Sequence, residues 1–206
     1  MKKFLSRKLE KFIYACIEKY EDRAISPGHN PYQITLSAGA SLKEPLRIGG
    51  DQYISIGRNS LIGKKIWLEA FDKYLGQVFT PEITIGENVY IGNYACITAI
   101  NSIKIGNGCL ISEYVYISDH SHGVNPGSQL RPSLQNLNSK GPVLIGENTF
   151  LGFRVCVLPG VQLGKNCVVG ANSVVTKSFP DNSMIGGIPA KLIKQYSFEE
   201  NDWVTV

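Results

Sequence analysis

No run in this 206-residue chain approaches the roughly 18 consecutive apolar residues that a bilayer-crossing helix requires, so no transmembrane segment is expected. Met1 to Leu9 carries positive charge, but no apolar stretch with a small-residue cleavage site follows it. A secretory signal is therefore not expected either, and a bacterial-type cytoplasm is the compartment anticipated. Cysteine is sparse and badly spaced for cross-linking: five residues, at 16, 96, 109, 156 and 167, with no C-x-x-C pair. Neither a disulfide framework nor a zinc site is indicated. Charge of one sign is also lacking. The 21 Lys and Arg against 17 Asp and Glu leave +4, spread thinly, which removes a nucleic-acid groove from the expected functions. With 43% hydrophobic and 18% charged residues the chain is not disordered, and its length suits one domain with a sizeable core. What it does have is glycine, 21 of them, a first sign of a repeat.

Residues 3–20 place Leu5, Leu9, Phe12, Ile13, Cys16, Ile17 and Tyr20 at steps of three and four, with Lys2, Lys3, Arg7, Lys8, Lys11 and Lys19 elsewhere around the wheel. This spacing predicts an amphipathic α-helix. It either packs on the protein itself or touches anionic lipid as a peripheral membrane contact. Pro27, Gly28, Asn30 and Pro31 then break the chain, setting residues 1–30 apart as helix and linker.

Beyond them, aliphatic residues recur every six: at 85, 91 and 97, at 105, 111 and 117, and at 145, 151, 157, 163, 169 and 175. Glycine often follows (Gly86, Gly92, Gly106, Gly146, Gly152, Gly164, Gly170). Two positions earlier stands a small or β-branched residue such as Val89, Ala95, Cys109, Val115, Val155, Val161, Cys167 or Ser173. Strand alternation points both members inward. Three positions after the aliphatic, Asn88, Gly108, Asn148, Asn166 or Asn172 suits the left-handed conformation of a sharp corner. Each unit is thus a short strand and a corner. Three make a triangular coil of about 18 residues, and stacked coils bury what one unit cannot. The result is an all-β parallel solenoid over residues 31–195, begun by weaker repeats at Ile48, Ile56 and Ile62 and followed by a tail, 196–206. Cys96, Cys109, Cys156 and Cys167 read as wall residues.

The register jumps by 28 between Ile117 and Ile145, which suggests one further coil plus ten extra residues in a loop over 118–142. That interruption opens on Ser118-Asp119-His120-Ser121-His122-Gly123 and holds two of the three histidines of the chain. Loops that disturb a rigid scaffold are common sites of function.

Three segments carry a resemblance. They are Asp119-His120 entering the loop, Gly141-Pro142-Val143-Leu144-Ile145-Gly146-Glu147-Asn148, and Leu158-Pro159-Gly160-Val161 through Gly170-Ala171-Asn172-Ser173-Val174-Val175-Thr176-Lys177, closed by Gly187-Ile188-Pro189-Ala190-Lys191-Leu192-Ile193-Lys194. Together they resemble the hexapeptide-repeat acetyltransferases, in the branch of maltose, galactoside and surface-polysaccharide O-acetyltransferases. The resemblance implies a left-handed parallel β-helix, and transfer of acetyl from acetyl coenzyme A to a sugar hydroxyl in capsule or O-antigen assembly. It implies His120 as general base, which suits an imidazole of near-neutral pKa, and no metal. Asp119 and His122 are expected at the acceptor. Asp119 also remains open as a group that orients an imidazole, although neighbours on an extended chain point to opposite faces. Phe150, Gly152, Phe153, Gly170, Ala171, Thr176, Lys177, Pro189, Lys191 and Lys194 are expected at the coenzyme, with the backbone N–H groups at Gly152-Phe153 as oxyanion donors. A homotrimer with sites between subunits is also implied.

The chain departs from that branch in two places. Phe150 stands where many relatives have Trp, and residues 1–45 do not resemble the segment that supplies acceptor contacts in the galactoside and maltose enzymes. Arg131 and Lys140 could attract an acidic sugar instead. Other readings are an acetyltransferase of xenobiotics or amino sugars, a non-catalytic scaffold, and a solenoid carbonic anhydrase. The last needs three metal-binding histidines from neighbouring coils, whereas His29 lies outside the repeats.

Overall fold

The computed structural model describes residues 24–206; the amphipathic segment 3–20 lies outside them. Short parallel strands stack into three walls of a triangular prism. Thr35–Leu36, Ile54–Ile56, Glu82–Ile85, Ser102–Ile105, Val143–Ile145 and Gln162–Leu163 form the first. The second runs through Ser41–Lys43, Leu61–Ile62, Tyr90–Ile91, Leu110–Ile111, Phe150–Leu151, Val168–Val169 and Ser183–Gly187. Arg47–Gly49, Trp67–Ala70, Cys96–Ala99, Tyr116–Ser118, Cys156–Val157 and Val174–Val175 make the third.

The six-residue aliphatics stack directly on one another. Ile85 pairs with Ile105 and Ile105 with Ile145 on the first wall, Ile91 with Ile111 on the second, and Ile97 with Ile117 on the third. Every one of the twelve repeat aliphatics from Ile85 to Val175 is buried, as are Cys109 and Cys167. Each buried Leu or Ile contributes about 1.5–3 kcal/mol, so a coil is stable only through its neighbours. The stack begins earlier than the sequence suggested, with Leu36 pairing Ile56 and Leu42 pairing Ile62. Residues 196–206 are no loose tail: Ala190–Ser197 and Asp202–Thr205 add two antiparallel strands to the second wall, and Ala24–Ile25 adds one at its other end.

The 118–142 interruption contains no coil. Ile117 pairs with Val157, forty positions on where an uninterrupted coil takes eighteen, so 22 residues leave the prism together. The expected coil is absent because the 118–142 stretch does not hold the aliphatic six-step. Each larger step in the repeat falls at this same corner, between the third and first walls. Here the chain also extrudes residues 71–81, with a hairpin of Lys73–Tyr74 against Gln77–Val78. The other two corners keep six-residue steps and turn through left-handed residues. At one of them these are Asn59, Asn88, Gly108, Asn148 and Asn166; at the other they are Lys65, Tyr94, Tyr114, Arg154 and Asn172. The bulky residues compensate by stacking along the corner, Tyr94 on Tyr114 with centroids 4.8 Å apart.

Candidate active site

Strand Tyr116–Ser118 ends at the loop-bearing corner, and the chain bends at Asp119. That bend breaks strand alternation and brings two adjacent side chains together, with His120 Nδ1 3.0 Å from Asp119 Oδ1. The Asp119 carboxylate is fully buried. It accepts the backbone N–H of Ile100 at 2.9 Å and of Asn101 at 2.8 Å, both from the coil before. Asp119 is therefore fixed, and its expected contact with an acceptor is corrected: no surface remains to make one. In the neutral imidazole, a proton on Nδ1 donates to this carboxylate and leaves Nε2 its lone pair. Among the described residues no hydrogen bond engages Nε2. Ser118 Oγ accepts from Thr98 Oγ1, donates to the His120 carbonyl at 3.0 Å and lies 3.3 Å from Nδ1, while the Phe71 and His120 rings meet in a T with centroids 5.7 Å apart. About a tenth of the His120 side chain is exposed, so the imidazole is held yet reachable.

The two extruded loops lock to each other beside this dyad. Gln77 Nε2 donates to the Leu137 carbonyl, and its Oε1 accepts the Leu137 N–H at 2.7 Å, so one amide acts as a strand partner. Tyr74 Oη donates to the Ser133 carbonyl at 2.8 Å and lies 3.3 Å from Nδ1 of the exposed His122. Ser139 Oγ closes the loop by donating to the Asp119 carbonyl at 2.6 Å. Tyr74, Gln77, Phe71 and Ser139 form no motif in the sequence. The one signal the sequence holds is the step of 23 from Ile62 to Ile85, which is no multiple of six and so marks a loop.

Two wall thiols are held in the neutral form. Burial pushes Cys96 up to about 11, with the Glu69 carboxylate adding to it, and burial does the same for Cys109.

The family profile described as the hexapeptide repeat of succinyl-transferase matches residues 82–118 and 142–177, the two blocks that flank the loop. A lipopolysaccharide-biosynthesis O-acetyltransferase of Escherichia coli K12, WbbJ, is 39% identical over 168 residues, 79% of this chain and 82% of that protein. The chain belongs to the hexapeptide-repeat acetyltransferases. Galactoside O-acetyltransferase of the same organism is 32% identical, over 65% of this chain and 63% of its own length. A maltose O-acetyltransferase structure from Clostridium difficile 630 is 31% identical with a TM-score of 0.55, covering 68% of each chain. The fold is the left-handed parallel β-helix of this acetyltransferase family, and one solved neighbour, a hexapeptide-repeat acetyltransferase from Vibrio cholerae that is 23% identical with a TM-score of 0.57, is complexed with acetyl coenzyme A.

Within this acetyltransferase the expected coenzyme residues separate into two groups. Thr176 and Lys177 follow strand Val174–Val175 at the corner that bears His120, two strands further along the prism, or about 10 Å. Lys177 Nζ lies over the Phe179 ring. Gly152, Phe153, Gly170 and Ala171 sit at the opposite edge of the third wall. The turn through Pro189 lies there too, tied down by the Gly187 N–H donating to Ser173 Oγ. Lys191 and Lys194 pair with Gly186 and Met184 on the adjoining strand, and Phe150 is half-buried on the outer face of the second wall. This second group lies across the third wall from His120. The Gly152 N–H is also spent, since it donates to the Val169 carbonyl at 2.9 Å, so it is not an oxyanion donor. Glycine is needed there for stacking: a Cβ would come within 2.7 Å of the Ala171 nitrogen. No cluster of potential metal ligands occurs among the described residues, and none of their helices is long and apolar enough to cross a membrane.

Proposed function

We propose that this acetyltransferase moves the acetyl group of acetyl coenzyme A onto a hydroxyl of a sugar in surface-polysaccharide assembly, with His120 as the base. The observation that carries the reading is the buried Asp119 carboxylate on Nδ1 of a reachable His120. A hydroxyl is a poor nucleophile until its proton is removed. Nε2 accepts that proton as the sugar oxygen forms its bond to the thioester carbonyl carbon, and the C–S bond of the tetrahedral species then breaks. The departing coenzyme A sulfur receives the proton back from the imidazole, so acetyl ester and free thiol are the products. Asp119 is a positioning residue. It fixes the tautomer and balances the imidazolium that forms, as a buried carboxylate does in the Ser-His-Asp arrangement. The similarity to WbbJ supports the polysaccharide setting.

The active unit of this proposal is a homotrimer. His120 and the Phe153, Ala171 and Pro189 cluster lie at opposite edges of the third wall, so a site that needs both draws them from two chains. The exposed column Leu61, Tyr90 and Leu110 on the second wall offers apolar surface for such contacts. The donor runs along that cluster, with Lys191 and Lys194 on its own chain and Lys177 from the His120 corner supplying charge for the coenzyme phosphates.

The test is acetylation of paired sugars that differ only in a hydroxyl or an amine, with the position of the new acetyl group read by NMR. O-acetylation that His120→Ala abolishes is expected. Acetylation of the amine alone, unaffected by His120→Ala, contradicts the reading and leaves an amino-sugar or xenobiotic acetyltransferase.

A further inference from the structure

The 118–142 loop is built rather than loose. Gln135, 8% exposed, braces it from inside: Oε1 accepts the Asn125 N–H at 2.8 Å and Nε2 donates to the Leu130 carbonyl at 2.7 Å. Gly123 permits the brace, since a Cβ there would come within 2.5 Å of the Gln135 Cβ. Asn125 Oδ1 caps the turn Pro126–Ser128, and the Gln77 amide holds Leu137 from outside. Between these braces lies a groove of about 540 Å³, within the range of small-ligand sites. It begins beside the dyad: Asn138, in its wall, exchanges both backbone hydrogen bonds with Ser121, the residue after His120.

The groove lining contains no charged side chain. Val124 and Leu134 supply exposed apolar surface. Asn125 and Asn136 supply amides, of which Asn125 Nδ2 and both polar atoms of the Asn136 side chain engage no other described residue. Arg131 and Lys140, the cations from which an acidic sugar could be argued, are exposed and stand outside the lining. An anionic ligand would meet no counter-charge here, whereas free amides can both donate to and accept from hydroxyls, and the apolar walls suit the C–H faces of a sugar ring.

We infer that this groove is the acceptor subsite and that it takes an uncharged oligosaccharide segment. The inference rests on the acetyl-transfer reading only for what happens next at His120; binding stands separately. The probes are neutral oligosaccharides of glucose, galactose and N-acetylglucosamine beside oligogalacturonate, with binding followed by saturation-transfer NMR and transfer from acetyl coenzyme A measured in parallel. Val124→Trp and Leu134→Trp each fill the groove from an exposed position, so the fold is not at stake. At least about a tenfold loss of affinity for a neutral oligosaccharide is expected in both, with acetyl coenzyme A binding unchanged. Arg131→Ala and Lys140→Ala should change neither. The inference is overturned if no neutral probe binds, if binding survives both tryptophans, or if oligogalacturonate binds best and Arg131→Ala weakens it. Neutral binding that the tryptophans abolish, in a protein that transfers no acetyl group, would leave the subsite standing and remove the proposed reaction.

Discussion

At the scale of single residues, the proposed chemistry depends on a bend one residue long. Had the chain continued as a strand past Ser118, Asp119 and His120 would point to opposite faces and never meet. The N–H groups of Ile100 and Asn101 capture Asp119 and hold the bend. Replacement of the imidazole in His120→Ala is expected to lower kcat by about 10²- to 10⁴-fold with little change in the KM for acetyl coenzyme A. Asp119→Asn offers Nδ1 an amide in place of a carboxylate. Its expected signature is a fall in kcat without a rise in acceptor KM, where a merely unfolded protein would lose binding as well. The thiols give an independent check of burial. With Cys109 pushed up to about 11 it stays neutral, and alkylation at pH 8 should leave it unmodified in the native protein while labelling it after denaturation.

Among the elements, the repeat was legible and the clasp between loops was not. Ile91, Ile111 and Leu151 could be placed from spacing alone, because an inward position in a solenoid has one requirement, to be apolar and of the right size. Tyr94, Tyr114 and Arg154 escaped the same reading. Asn and Gly are the local marks of a left-handed corner, and nothing local shows that stacking between coils can stabilise larger residues there. Gln77 was invisible for a different reason: its partner Leu137 lies 60 positions away, and one glutamine in a loop has no pattern. Likewise the 28-residue jump was legible as an interruption, but spacing alone could not tell a coil with a short loop from one long loop. Gln77→Ala should free the 118–142 loop, seen as faster limited proteolysis there and a higher acceptor KM, with the thermal transition of the solenoid little changed.

For the whole molecule, three walls built from one repeat leave the extruded loops, and the proposed base, to the single corner where the repeat is broken. Stability and function are thereby separable. Ile111→Ala, in the middle of the second-wall column, is expected to cost about 2–5 kcal/mol by chemical denaturation, whereas substitutions on the loop should cost far less. The proposed assembly of the site from two chains makes a further demand. His120→Ala and a variant disabled at Phe153, inactive apart, should recover part of the activity when refolded as a mixture, and a site confined to one chain would recover none. The most direct test of the account is a single-turnover measurement with acetyl coenzyme A and a neutral oligosaccharide, recording thiol release and product mass for the wild type and for His120→Ala. The expected result is thiol release matched by one acetyl gained on a sugar oxygen, with both slowed together in the variant. Equal rates in the two proteins, or release with no acetylated sugar, would contradict it.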